Sequence, residues 1–163
     1  MNIPLSGTQL IQLFNKHNIT INIVERDEVE YKDILNIRYS PLVLLYETVE
    51  NIGHWVIVYY NKGYINFFDS YGIFLDGELK YTFYDINKIH NLKYMLQKVY
   101  KNKIRYNKYQ IQNFNSSTCG RHVFVRYLFK NITNRNYYNL IFKLSKTINR
   151  NMDDTVYNMS NFL

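Results

Sequence analysis

The chain holds a single cysteine, Cys119, and four histidines, His17, His54, His90 and His122. A lone thiol cannot close an internal disulfide, and one Cys with scattered His supplies too few soft ligands for a structural zinc site, so no metal is expected. Cys119 is therefore either a packed apolar side chain or a reactive thiol. The polar run 113–118 reads as a loop, and the pattern over 119–129 predicts a helix with Thr118 or Ser117 as N-cap. A cysteine in a first helical turn is favoured as thiolate, because unpaired N–H groups and the macrodipole stabilise negative charge there. Gly120, directly after it, is expected to leave room for a substrate carbonyl beside the backbone.

A thiol nucleophile needs a base, and the histidines compete for that role. His17 falls near the end of a first helix and His90 within a surface helix, where solvated histidines are ordinary. His122, three residues after Cys119 on one helix, could place its ring about 5–6 Å away. His54 opens an apolar strand just before Trp55, and the strand that pairs with it ends at Asp69, so a hairpin can bring imidazole and carboxylate together. Asp69 would then fix the tautomer of His54 and support its imidazolium. Asp76 and Asp85 are expected to be dispensable. Gln112, at a strand end seven residues before Cys119, could donate its amide to an oxyanion beside the Cys119 N–H.

The elements that must position these groups read as one α+β domain over 1–163. Ser6 and Gln9 have capping-box spacing before a helix over 7–17. Residues 19–24 alternate as a half-buried strand, 42–46 form a continuous apolar run expected of a central strand, and 26–39 give no clear pattern. The runs 55–60 and 64–68 flank Asn61-Lys62-Gly63, a hairpin whose Gly supplies positive φ. Asp69-Ser70-Tyr71-Gly72 is a turn cluster. Mixed helical periodicity covers 85–100, one or two strands 104–112, and helices 137–148 and 153–162.

Gly53-His54-Trp55, then Phe68-Asp69-Ser70-Tyr71-Gly72, then Gln112-Asn113-Phe114-Asn115-Ser116-Ser117-Thr118-Cys119-Gly120 resembles the adenovirus maturation protease, adenain, with its relatives in virophages and Maverick-type elements. The likeness runs from about residue 53 to 129, and the Asn-Ser spacing before Cys119 is closer to adenain than to the SUMO-deconjugating proteases of the same clan. The resemblance implies a papain-like core in rearranged chain order, with a central mixed or antiparallel sheet and the nucleophile at a helix N-terminus. It also implies cleavage of capsid precursors at sites with small residues, often glycine, before the scissile bond. His54, Asp69, Gln112 and Cys119 fall on the catalytic positions. Adenain has a longer acidic residue where Asp69 stands, and is activated by a disulfide-linked peptide. With Cys119 the sole thiol, any activator here must be non-covalent, and the chemistry itself needs no cofactor.

The net charge of +7 favours polyanionic partners. Lys93, Lys98, Lys101, Lys103, Arg105 and Lys108, interleaved with Tyr94, Tyr100, Tyr106 and Tyr109, read either as a solvated basic face or as a track for a phosphate backbone. Adenain-like proteases use DNA as a cofactor, so Lys101, Lys103 and Lys108 are candidate contacts for non-specific DNA. No apolar stretch is long enough to cross a bilayer, and the N-terminus lacks the basic start and apolar run of a signal peptide. A monomeric, unsecreted protein of the virion and the host cytoplasm or nucleus is expected. Two other readings stay open: a protease that deconjugates ubiquitin-like proteins after diglycine, and a non-enzymic basic module in which Cys119 is core packing.

Overall fold

Five strands build one mixed sheet in the order β1 (Asn22–Glu25), β2 (Leu42–Val49), β3 (Ile52–Asn61), β4 (Tyr64–Phe68), β5 (Ile104–Tyr106). The central pairs β2–β3 and β3–β4 are antiparallel, and the outer pairs β1–β2 and β4–β5 are parallel. The α-helices among the described residues are α1 (Gly7–Asn15), α2 (Tyr31–Asn36), α3 (Leu92–Tyr100), α4 (Cys119–Leu128), α5 (Asn134–Thr147) and α6 (Met152–Phe162), with short 3-10 turns between them. The computed structural model describes residues 3–49 and 52–163; Met1 and Asn2, which open the segment read as lacking a signal sequence, lie outside them. None of the described helices is long and apolar enough to cross a membrane. The expected α+β class is the class observed.

Alternation along the strands explains the layering. Val43, Trp55, Ile57, Tyr59 and Phe68 pack with Phe14, Val123, Phe124, Tyr137 and Ile141 in one buried cluster. Their sequence neighbours Leu42, Leu44, Val56, Val58 and Phe67 pack with Ile34, Leu92 and Leu96 in another. Successive side chains on a strand point to opposite faces, so the continuous apolar run in β2 serves a sheet covered on both sides. Each such side chain contributes about 1.5–3 kcal/mol when fully buried.

Local signals account for the joints. The capping box forms, with Gln9 N–H donating to Ser6 Oγ at 3.2 Å and Ser6 N–H to Gln9 Oε1 at 2.9 Å. The β3–β4 hairpin closes on Lys62 (φ 51°) and Gly63 (φ 84°), so a lysine shares the left-handed conformation expected of the glycine alone. Two positive φ values in a two-residue loop match the right-handed twist of the flanking strands.

Several boundaries differ from the sequence reading. The strand pattern over 104–112 ends at Tyr106, because Asn107 turns the chain: its Nδ2 donates to the carbonyls of Asp69 and Tyr109, and its Oδ1 accepts from Tyr109 N–H. Gln110 and Gln112 therefore lie in a loop and not on a strand. His90 precedes α3 instead of lying within a helix, and its carbonyl accepts from Arg26 Nη2. The unpatterned 26–39 segment contains a short 3-10 turn and α2. Asp76 is no spare carboxylate: it pairs with buried Arg26 at 2.7 and 2.9 Å and accepts from the Tyr46 hydroxyl at 2.7 Å. That hub pins the 3-10 turn Gly77–Tyr81 to the sheet.

Candidate active site

Cys119 is the first residue of α4, with Thr118 as N-cap. Thr118 makes no side-chain cap; its hydroxyl donates instead to Asp153 Oδ1 at 2.8 Å. The space beside Gly120 is filled, since a Cβ there would meet Leu5 at 3.3 Å and Trp55 at 3.4 Å. Gly120 thus allows the N-terminal segment and Trp55 to close on α4, and it does not open the backbone to a substrate as its position suggested. Trp55 Nε1 fixes the same segment by donating to Leu5 O at 3.0 Å.

His54 and Asp69 meet as the hairpin requires. His54 Nε2 lies 2.8 Å from Asp69 Oδ1, and both side chains are buried. Asp69 Oδ1 also accepts from Tyr71 N–H at 2.8 Å. The Tyr71 ring stacks on the imidazole at 4.2 Å and 14°, and Phe114 lies against Tyr71 at 4.8 Å. Tyr71 was not singled out from sequence; its place two residues after Asp69 in the turn cluster was the available signal. His54 Nδ1 is buried without a hydrogen-bond partner. Burial alone would lower the His54 pKa, but the charge and hydrogen bond of Asp69, followed by neighbouring Cys119, raise it to about 10. The ring therefore holds a positive charge at neutral pH beside the thiol.

His122 is placed differently. It is fully buried, with Nε2 2.8 Å from Asp153 Oδ1 on α6. Burial lowers its pKa despite Asp153, and the charge of His54 adds to that, so it is a neutral N–H donor. Asp153 also accepts from Asn113 N–H at 3.0 Å. Burial opposes its charge, yet the donors His122, Asn113 and Thr118 prevail and lower its pKa. One carboxylate thus anchors both ends of the loop 113–118 and the first turn of α4. Nothing in the local sequence marks Asp153 for this role, because it reaches the loop only through the packing of α6 on α4.

Gln112 is buried and does not line the cleft that holds Cys119. Its Oε1 accepts from Ser70 Oγ at 2.5 Å, and its Nε2 donates to Ser116 O at 3.0 Å, leaving one amide hydrogen uncommitted. Ser70 O also accepts from Gln112 N–H at 3.0 Å. The turn that carries Asp69 therefore holds Gln112 as well.

The cleft has a volume of about 490 Å³, with His54, Cys119 and Glu78 in it and Ile52, Tyr81 and Phe114 among its apolar walls. A second cleft of about 550 Å³ lies against β5, with Lys62, Arg105, Lys108, Lys130 and Arg135 in its lining. Lys101, Lys103 and Lys108 are exposed, but only Lys108 belongs to that cleft, and Tyr100 is a core residue whose hydroxyl donates to Ile34 O at 2.7 Å.

No protein-family model matches the chain. Over 140 residues it is 31% identical to Uncharacterized protein V9 of Sputnik virophage, a match covering 80% of this chain and 78% of that one. The chain belongs to the family of that virophage protein. Among solved structures it is similar to the ASFV pS273R protease, with a TM-score of 0.39 and 17% identity. That match covers 74% of this chain, which spans only 42% of the solved one.

Proposed function

We propose that the protein is a cysteine endopeptidase of a virus-like element, of the adenain type, that cleaves capsid or other virion precursors after small residues. The observation that carries this reading is a charged, carboxylate-held imidazole in one cleft with a thiol at a helix N-terminus. Kinship with a virophage protein supports the viral setting. In the proposed reaction the imidazolium of His54 stands beside Cys119 as a thiolate–imidazolium pair, the thiol proton already resting on the ring, and the thiolate attacks the scissile carbonyl. Asp69 keeps Nε2 oriented and supports the imidazolium, which then protonates the leaving amine. Water releases the acyl group in a second step. We assign the oxyanion donors as the Cys119 N–H and the uncommitted amide hydrogen of Gln112, which must turn toward the cleft because Gln112 does not line it. Virion assembly sites in the host cell are where such an enzyme would act.

Gln112 provides the direct test. Loss of one oxyanion donor lowers turnover by about 10²- to 10³-fold, or roughly 2.7–4 kcal/mol. Gln112→Ala is expected to show that loss on a glycine-containing peptide, together with about 1–3 kcal/mol of stability, because Ser70 and Ser116 lose a buried partner. Gln110→Ala removes only a 3.2 Å bond to Gln112 O and should stay near wild type. Wild-type turnover in folded Gln112→Ala would remove the oxyanion role. A wild type that cleaves no such peptide, but does cut diglycine-linked ubiquitin-like proteins, would move the substrate class.

DNA remains the proposed activator or partner, supported by the exposed lysines and the basic second cleft. Log affinity for duplex DNA should fall linearly with log salt, since each neutralised phosphate releases counterions. Replacing Lys101, Lys103 and Lys108 by Glu should weaken it without sequence preference. Binding indifferent to both changes takes DNA off the partner list.

A further inference from the structure

Glu78 is a buried carboxyl with no place in the chemistry above. It lies on the 3-10 turn Gly77–Tyr81, it is 4% exposed, and its Oε1 has no hydrogen-bond partner. Oε1 is 3.9 Å from His54 Nε2. The other oxygen of Asp69, Oδ2, is also buried and unpartnered. His54, Asp69 and Glu78 present atoms all within 4.8 Å of one another. Two buried carboxylates this close repel when both are charged, whereas one proton between them gives both orphaned oxygens a partner.

We propose that Glu78 carries a proton and donates it to Asp69 Oδ2, making Glu78 a positioning residue for the His54–Asp69 pair. Asp69 then spends Oδ1 on His54 and Tyr71 N–H and Oδ2 on Glu78, which leaves its carboxylate a single orientation. The groups that face Glu78 are His54 from β3, Asp69 and Tyr71 from the turn after β4, and Lys80 from its own turn. Burial raises the Glu78 pKa, His54 opposes this, and Asp69 raises it further, to about 8. Because the value is raised, the folded protein keeps a proton that the unfolded chain releases. Its contribution to stability is full below the ordinary carboxyl range near 4.5 and is lost as pH rises through about 8. The effect on turnover rests on the protease reading; the protonation does not.

The test is a titration of the intact chain labelled with ¹³C at glutamate carboxyls, with Glu78 assigned by the resonance missing in Glu78→Gln. A midpoint near 8 is expected. Wild-type kcat is expected to fall as pH rises through about 8 and Glu78 loses its proton. Glu78→Gln keeps a donor that does not titrate, so it should hold kcat within a few-fold of wild type at pH 7 and abolish that fall. Glu78→Leu should lower kcat at every pH. A midpoint near 4.5 overturns the proposal, as does stoichiometric Zn²⁺ binding at pH 7 that Glu78→Gln abolishes, since that site needs Glu78 ionised. A midpoint near 8 in a protein that cleaves no peptide keeps the shared proton and sinks only the protease reading.

Discussion

Cys119→Ala and His54→Ala are each expected to reduce peptide cleavage to background. The two side chains act as a unit, so losing either costs about as much as losing both, and only binding and oxyanion effects survive. His122→Ala is the informative comparison, because it is also close to Cys119 in sequence and also paired with a carboxylate. Its ring is neutral and donates to Asp153, so its removal should act on folding, by about 2–4 kcal/mol for the cavity and the lost partner. At a temperature where the variant is folded it should keep most of its kcat. Steady-state cleavage, thermal unfolding and alkylation of Cys119 together separate these outcomes. A folded His122→Ala as dead as Cys119→Ala, beside an active His54→Ala, would reverse the assignment of the base.

Asp69→Asn is expected to fold and to lose up to about 10⁴-fold in kcat, the size of effect seen when a triad carboxylate becomes an amide. The change removes the charge that outweighs burial at His54, so the imidazole should become neutral near pH 7. That carries a sign for stability. The His54 pKa is raised to about 10, so its contribution in the wild type is full below its ordinary value of 6.5 and is lost as pH rises toward 10. In Asp69→Asn that alkaline decline should flatten, as read by unfolding midpoints from pH 6 to 10. Asp85→Asn should leave both measurements alone, whereas Asp76→Asn should lower stability at every pH by weakening the pairing with Arg26. If Asp69→Asn and Asp85→Asn behave alike, Asp69 does not support His54.

The placement of the candidate site residues was legible where it depends on contacts between residues close in the chain or across one hairpin. A two-residue hairpin fixes register, so His54 at the start of one strand and Asp69 just beyond its partner's end had to approach each other. Cys119 at the start of a helix followed from the polar run before it and the periodicity after it. The capping box, the hairpin and the two-faced burial of β2 follow from backbone conformation and side-chain alternation, which are local properties.

Tertiary structure decided what depends on elements far apart in sequence. Which histidine sits by the thiol as a charged ring depended on packing: Asp153, brought from α6, holds the His122 ring by a hydrogen bond, and full burial leaves that ring neutral in spite of the carboxylate. The reach of β5 was misread because the 107–112 segment is held by Asp69 and Ser70, some forty residues earlier, and carries no strand ladder of its own. Gly120 faces Leu5 and Trp55, and Glu78 comes to His54 only because Arg26, Tyr46 and Asp76 pin its turn to the sheet. Local sequence sets what each segment can form; which buried polar groups then satisfy one another is a property of the packed whole, since each must find its partner where water is excluded.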